Sequence, residues 1–227
     1  MSDTTKDWLQ HVEKWQSCQR CPLAQQRGNI CLARGTLPCD VLFCGEAPGM
    51  SEDALGQPFM GPAGHLMDQI IRRALETHSN VTYVLTNLVA CFPREAKQRG
   101  DNEPERGEIY ECRPRLIEFV NIARPRLIVT VGDLAGQYSQ FDSSIPFLSI
   151  VHPAYILARL PTAQKGMAAN KCAVQIRTAV ERMLESPVTE WKPWGEKYAQ
   201  VTPTREQLRS IYTSADGTEH SEGDIPY

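Results

Sequence analysis

Three short segments of the sequence carry residue types that build reactive sites, and each directly follows an apolar run. The first, CGEAPGMSEDALGQPFMGPAG from Cys44 to Gly64, sets the acids Glu46, Glu52 and Asp53 and the aromatic Phe59 among five glycines and three prolines. Gly45 and Gly49 bracket Glu46 and Ala47, where backbone without side chains can approach a ligand closely. The second segment is Thr86-Asn87, whose amide offers an acceptor and donors at once. The third is His152-Pro153, an imidazole able to donate an N–H to developing negative charge. A fourth set is the cysteines, eight in 227 residues, opening with the ligand-spaced pair Cys18 and Cys21. In a reducing compartment such thiols read as metal ligands, core residues or reactive groups sooner than as disulfides.

Each of these residues also has a plainer reading. Phe59, between Pro58 and Met60, suits a core position as well as a stacking surface. Asn87 suits a cap or turn, His152 a buried hydrogen-bonded imidazole, Glu46 an anchor for loop N–H groups, and Glu52 a solvated loop acid. The glycine spacing at 45, 49 and 56 matches neither the dinucleotide fingerprint nor the phosphate loop, which argues against a nucleotide cofactor.

The surrounding pattern explains how such segments could meet. Short apolar runs at 41–44, 83–86, 127–131 and 147–151 read as buried strands. Between and around them, helical periodicity covers 7–16, 65–76 with Leu66, Ile70, Ile71 and Ala74 on one face, 105–123 with a break near Pro114, and 163–184. Alternating strands and helices predict a three-layer α/β/α domain over 1–185 with a central four-stranded, mostly parallel sheet. Ligands in such sheets bind beyond the carboxyl ends of the strands, so the glycine-rich loop, Asn87 and His152 are expected at one crevice.

Charge and composition narrow the class. Residues 1–185 carry 20 basic and 20 acidic residues, and the net charge of -3 comes wholly from 186–227. Nucleic-acid binding would therefore need local basic patches. No apolar run approaches a membrane span and the first residues are too polar for a signal peptide, so a soluble, cytoplasmic monomer is expected.

Read together, six motifs give a resemblance. They are Cys18-Gln19-Arg20-Cys21-Pro22-Leu23, Gly45 to Gly49 (GEAPG), Pro58 to Gly64 (PFMGPAG), Thr86-Asn87 with Cys91, Cys112-Arg113-Pro114, and His152 to Leu157 (HPAYIL). In this order, over residues 8–185, the chain resembles the iron-sulfur (family 4) uracil-DNA glycosylases. The resemblance implies hydrolysis of the N-glycosidic bond of uracil in DNA for base-excision repair. An altered-specificity or non-catalytic DNA-binding member of the same superfamily is the alternative.

By that resemblance, Phe59 stacks on the flipped base, Asn87 pairs with its N3–H and O4, and His152 donates to O2 as negative charge builds on the departing uracil. Glu46 positions water or stabilises the cationic sugar, Glu52 crowds the 5-position against thymine, and Ala47 stands where the GQDPY glycosylases carry an aspartate. Backbone at Gly45 and Gly49 and the side chain of Arg159 hold DNA, with Tyr155 and Ile156 as the wedge that fills the vacated stack. Cys18, Cys21, Cys91 and Cys112 form an all-thiolate set that the resemblance assigns to a 4Fe-4S cluster, although four sulfurs also suit zinc.

The departures are Met50-Ser51 ahead of the acids after GEAPG, a longer Cys91–Cys112 interval, and Ala154 in place of a common serine. Beyond residue 185 the chain is polar, with an expected short helix at 204–212 and a disordered acidic end. Its last residues, Ile225-Pro226-Tyr227, resemble the C-terminal tip of bacterial single-stranded DNA-binding proteins. That implies docking to replication or repair partners, or folding back over the crevice.

Overall fold

The computed structural model describes residues 3–94, 102–139, 145–187 and 191–193. The acidic end, its expected short helix and the Ile225-Pro226-Tyr227 tip lie outside these residues. In chain order the elements are α1 (Asp3–Trp15), α2 (Leu23–Gln26), β1 (Arg34–Gly35), β2 (Val41–Gly45), α3 (Met50–Leu55), α4 (Pro62–Ala74), β3 (Tyr83–Asn87), α5 (Arg106–Ala123), β4 (Leu127–Val131), α6 (Asp133–Tyr138), β5 (Phe147–Ile150), α7 (Pro153–Arg159) and α8 (Thr162–Glu185).

The strands form one sheet in the order β1-β3-β2-β4-β5. Four are parallel, as expected, and β1 adds a two-residue antiparallel edge that is too short to leave a periodic signature. β2, β3 and β4 read as unbroken apolar runs because helices cover both faces, whereas the edge strand β5 leaves Phe147 exposed. In β2 the alternation is visible: Val41 and Phe43 pack with Met67, Ile70 and Ile71 of α4 and with Ile176 and Val180 of α8. Leu42 and Cys44 face the other way, against Leu116, Phe119 and Val120 of α5.

Helix boundaries correct the sequence reading in three places. α5 runs unbroken through Pro114, because Ile109 before it and Leu116, Phe119 and Val120 after it are all buried on the same layer. That packing outweighs the proline's missing donor and ring clash. α4 begins at Pro62, where a proline occupies the first helical turn and no N–H is wasted. α3, α6 and α7, at six to seven residues each, are too short to display a period. All three start where a parallel strand or its following loop ends.

Outside the layers, α1 docks on α5 through Glu118. Its carboxylate accepts from His11 Nδ1 at 2.8 Å, from Trp15 Nε1 at 3.0 Å and from Lys14 Nζ. Burial pushes His11 down to about 4, so near neutrality it is an uncharged donor in this clamp. Among the described residues no helix is long and apolar enough to cross a membrane.

Candidate active site

The parallel register brings the carboxyl ends of the strands level, with Cys44 beside Thr86 and Thr130, and Gly45 beside Asn87. The pairing continues past the strands. Leu88 N–H donates to Gly45 O at 2.9 Å and Val89 N–H to Glu46 O at 3.2 Å. The turns that carry Glu46 and Asn87 are thereby fixed to each other by backbone, before any side chain is considered.

Gly45 shows why that position has no side chain. A Cβ there would overlap Asn87 Oδ1 and stand 2.7 Å from Phe59 Cζ. The amide and the ring thus close on one point above the end of β2. Phe59 is a bulky residue at φ 59°, a left-handed conformation that aromatic side chains seldom adopt. Arg34 holds this backbone, donating Nε to Pro58 O at 3.1 Å and Nη2 to Phe59 O at 3.2 Å while pairing with Asp68 at 2.8 Å. The ring is 6% exposed, so the core and stacking readings coincide: it packs on the sheet end and borders the crevice.

Glu46 and His152 meet on the opposite wall. Gly132, at φ 98° between β4 and α6, leaves a gap that a Cβ would fill by overlapping Glu46 Oε1 and coming within 3.1 Å of His152 Cδ2. Glu46 Oε1 accepts from Leu134 N–H at 3.2 Å. Burial outweighs that single donor and pushes the carboxyl up to about 7.

His152 caps α7. Its Nδ1 accepts from Ala154 N–H at 3.1 Å, which assigns the ring proton to Nε2 in the neutral imidazole. Burial lowers its pKa below the ordinary histidine value, with Glu52 opposing. The result is an uncharged ring with Nε2–H available as a donor. Ala154, where a hydroxyl was expected to be missing, contributes its backbone N–H instead.

Glu52 is buried at 9% exposure, which corrects the reading of it as a solvated acid. Oε1 accepts from Met60 N–H at 2.8 Å and Gly61 N–H at 2.7 Å, and Oε2 from Gly49 N–H at 3.0 Å. The carboxylate thus ties the start of α3 to the backbone beside Phe59. Its neighbour Asp53 accepts from Gly28 N–H at 2.8 Å and Asn29 N–H at 3.2 Å and pairs with Arg94. Asp53 therefore joins the crevice loop to the segment that follows Cys21.

Two residues of α7 part company. Tyr155 is 52% exposed beside His152, whereas Ile156 is fully buried in the core with α4 and α8. Ile156 cannot act as a wedge, because the helical turn that begins at Pro153 points it inward. Arg159 is exposed at the end of the same helix.

Cys18, Cys21, Cys91 and Cys112 line one solvent-accessible pocket together with Trp15, Arg20, Arg27, Glu111 and Arg115. Among the described residues no three His, Cys, Asp or Glu side chains close to single-ion distance. The four cysteines are instead distributed over the wall of that pocket. Arg27 reaches into it, with Nη1 3.4 Å from Cys91 Sγ and Nη2 donating to Cys18 O at 2.7 Å. Burial and the neighbouring Cys112 push Cys21 up to about 12 and Cys91 up to about 11, so bare thiols there stay protonated. The other four cysteines are buried elsewhere: Cys31 Sγ lies 3.2 Å from Glu52 O, and Cys39, Cys44 and Cys172 sit in the packed layers.

Residues 33–172 match the model of the uracil DNA glycosylase superfamily. The chain belongs to that superfamily. Over 122 residues it is 37% identical to a type-4 uracil-DNA glycosylase of Sulfurisphaera tokodaii, covering 54% of this chain and 53% of that one. Over 133 residues it is 32% identical to a type-4 uracil-DNA glycosylase of Thermotoga maritima, covering 58% and 66%. A third, from Archaeoglobus fulgidus, is 29% identical over 197 residues, covering 85% and 94%. The match spans about half the length of the first of these relatives. The crevice beyond β2, β3 and β5 holds Glu46, Phe59, Asn87 and His152.

Sequence reasoning missed Arg115 and Arg34 and gave Asp53 no role of its own. Arg115 is 1% exposed and donates from Nη2 to Asn87 O at 2.6 Å and Leu88 O at 2.9 Å. Its one signal was an arginine on the inward face of α5, next to Leu116.

Proposed function

We propose that the protein is a uracil-DNA glycosylase that hydrolyses the N-glycosidic bond of uracil in DNA. The observation that carries this reading is His152, whose Nδ1 accepts from Ala154 N–H and so leaves Nε2 as the ring's donor, with no partner among the described residues, across the strand ends from the Asn87 amide and the Phe59 ring. A flipped uracil stacks on Phe59 and presents its N3–H and O4 to Asn87, an edge that cytosine mismatches. As the glycosidic bond lengthens, charge moves onto the base, and the Nε2–H of His152 stabilises it at O2 without first giving up a proton. Glu46, ionised above about pH 7, orients water toward the cationic sugar or steadies that cation. Glu52 holds the loop and not the base in this reading, since three N–H donors occupy its oxygens. Tyr155 is the side chain placed to enter the vacated stack.

The four-cysteine pocket suits a 4Fe-4S cluster: four thiols line it, its walls include Trp15 and Ala90, and Arg27 donates toward a sulfur. Such a cluster would join the N-terminal segment to the loop after β3 and to α5. Protein purified without oxygen should carry about four irons per chain; stoichiometric zinc would replace this assignment. Uracil release is tested with single- and double-stranded oligonucleotides containing one uracil, followed by alkaline cleavage. Intact strands at enzyme excess would contradict the reading. The Ile225-Pro226-Tyr227 tip is proposed, from sequence alone, to dock on a replication or repair partner.

A further inference from the structure

Arg115 is a buried cation whose charge no described carboxylate balances. It leaves α5 at 1% exposure and fans its guanidinium across the end of β3. Nη1 donates to Thr86 Oγ1 at 2.9 Å, and Nη2 donates to Asn87 O and Leu88 O. Thr86 Oγ1 passes the chain on, donating to Leu32 O at 2.8 Å. These bonds are all to neutral groups, and among the described residues Nε has no partner. A buried charge in that condition is costly unless an opposite charge stands nearby.

The opposite charge is available on the other side of the same residue. Arg115 forms part of the wall of the cavity lined by Cys18, Cys21, Cys91 and Cys112. Metal-bound cysteines are thiolates, and a set of four is a concentrated negative charge. Arg27 touches the same set at Cys91 Sγ and holds Cys18 O. Of the three arginines at the cavity, Arg20 pairs with Glu111, Arg27 holds Cys18 O, and Arg115 is the one whose hydrogen bonds end on Asn87.

We propose that Arg115 is a positioning residue that couples the cysteine cavity to the active site, balancing the metal-bound thiolates while its fork sets the backbone of Asn87. The kinetic half of this inference rests on the glycosylase reading; the metal half does not. It explains why a metal centre remote from Glu46 and His152 would matter to base excision. Loss of the metal removes the counter-charge, and the group left unbalanced is the one that fixes the amide.

Two variants separate charge from geometry, because lysine keeps the cation without the planar fork and methionine keeps neither. Both are assayed in the full chain for bound iron or zinc, for metal loss to a chelator, and for kcat and KM on a single-uracil oligonucleotide. Arg115→Lys should hold its metal like the parent while kcat falls at least roughly tenfold and KM stays within about twofold, since DNA contacts are untouched. Arg115→Met should lose metal to the chelator at least about tenfold faster. A parental kcat in Arg115→Lys, or parental metal retention in Arg115→Met, overturns the proposal, as does metal loss from Arg115→Lys if Arg115→Met fails to fold. A parent that holds metal but releases no uracil contradicts the glycosylase reading, while metal retention in the variants still decides the role of Arg115.

Discussion

Glu46→Gln separates what the Glu46 carboxylate does for the reaction from what it does to the fold. The carboxyl is raised from 4.5 to about 7 because burial removes water and Leu134 N–H is a single compensating donor. A shift of that size corresponds to about 3 kcal/mol between the protonated and ionised states, and partial exposure to the crevice reduces it to about 2 kcal/mol. The folded pKa lies above the unfolded one, so the folded state binds the proton more tightly. The stabilisation is full below about pH 4.5 and lost as pH rises through about 7. Glutamine keeps the acceptor for Leu134 and carries no charge. Urea denaturation should therefore show the two proteins alike at pH 5 and the variant more stable by about 2 kcal/mol at pH 8. In the cleavage assay the parent rate should climb between about pH 5.5 and 7.5, and the variant should be slow with no such climb. A variant that is equally destabilised at both pH values, or a parent rate that is flat across neutrality, would refute the placement of an ionising Glu46 in the crevice.

Gly45→Ala should lower uracil excision roughly 100-fold at unchanged metal content, because its Cβ collides with the Asn87 amide and stands 2.7 Å from Phe59 Cζ; single-turnover cleavage and metal analysis read both quantities. Glu52→Gln keeps at most one of the two acceptor oxygens and turns an NH₂ toward Gly49 N–H. It should cost about 2 kcal/mol, seen as a fall of roughly 4 to 8 °C in melting temperature. Deleting Asp224 to Tyr227 should weaken binding to a repair or replication partner, or tighten binding to single-stranded DNA, with the melting curve unchanged. Indistinguishable binding in both measurements would leave the tip without the proposed role.

The sheet was legible because β2, β3 and β4 are apolar runs covered on both faces and β5 keeps an apolar run at the exposed edge, and the carboxyl-end rule then set Glu46, Asn87 and His152 at one crevice. The grouping of Cys18, Cys21, Cys91 and Cys112 was legible only through the resemblance, since Cys91 and Cys112 are brought together by tertiary packing. What escaped has a common cause. Ile156 and Tyr155 are adjacent in sequence, and only the helix that starts at Pro153 decides which one is buried. Glu52 is an acid in a polar segment, and only the fold of α3 turns three backbone donors toward it. Arg115 is one charge among several in α5, yet the unbroken course of that helix through Pro114 carries it to the end of β3. Short helices and buried polar networks depend on contacts distant in sequence, where periodicity has nothing to register.

The central claim is that a neutral His152 with its Nε2 proton free drives departure of uracil from DNA. Single-turnover release from an oligonucleotide with one uracil, measured for the parent and for His152→Ala side by side, tests it most directly. Loss of a preorganised donor at a leaving group costs about 2 to 4 kcal/mol of barrier, so the variant should be slower by roughly 30- to 1,000-fold while its metal content and melting temperature match the parent. A variant that releases uracil at the parental rate would contradict the account.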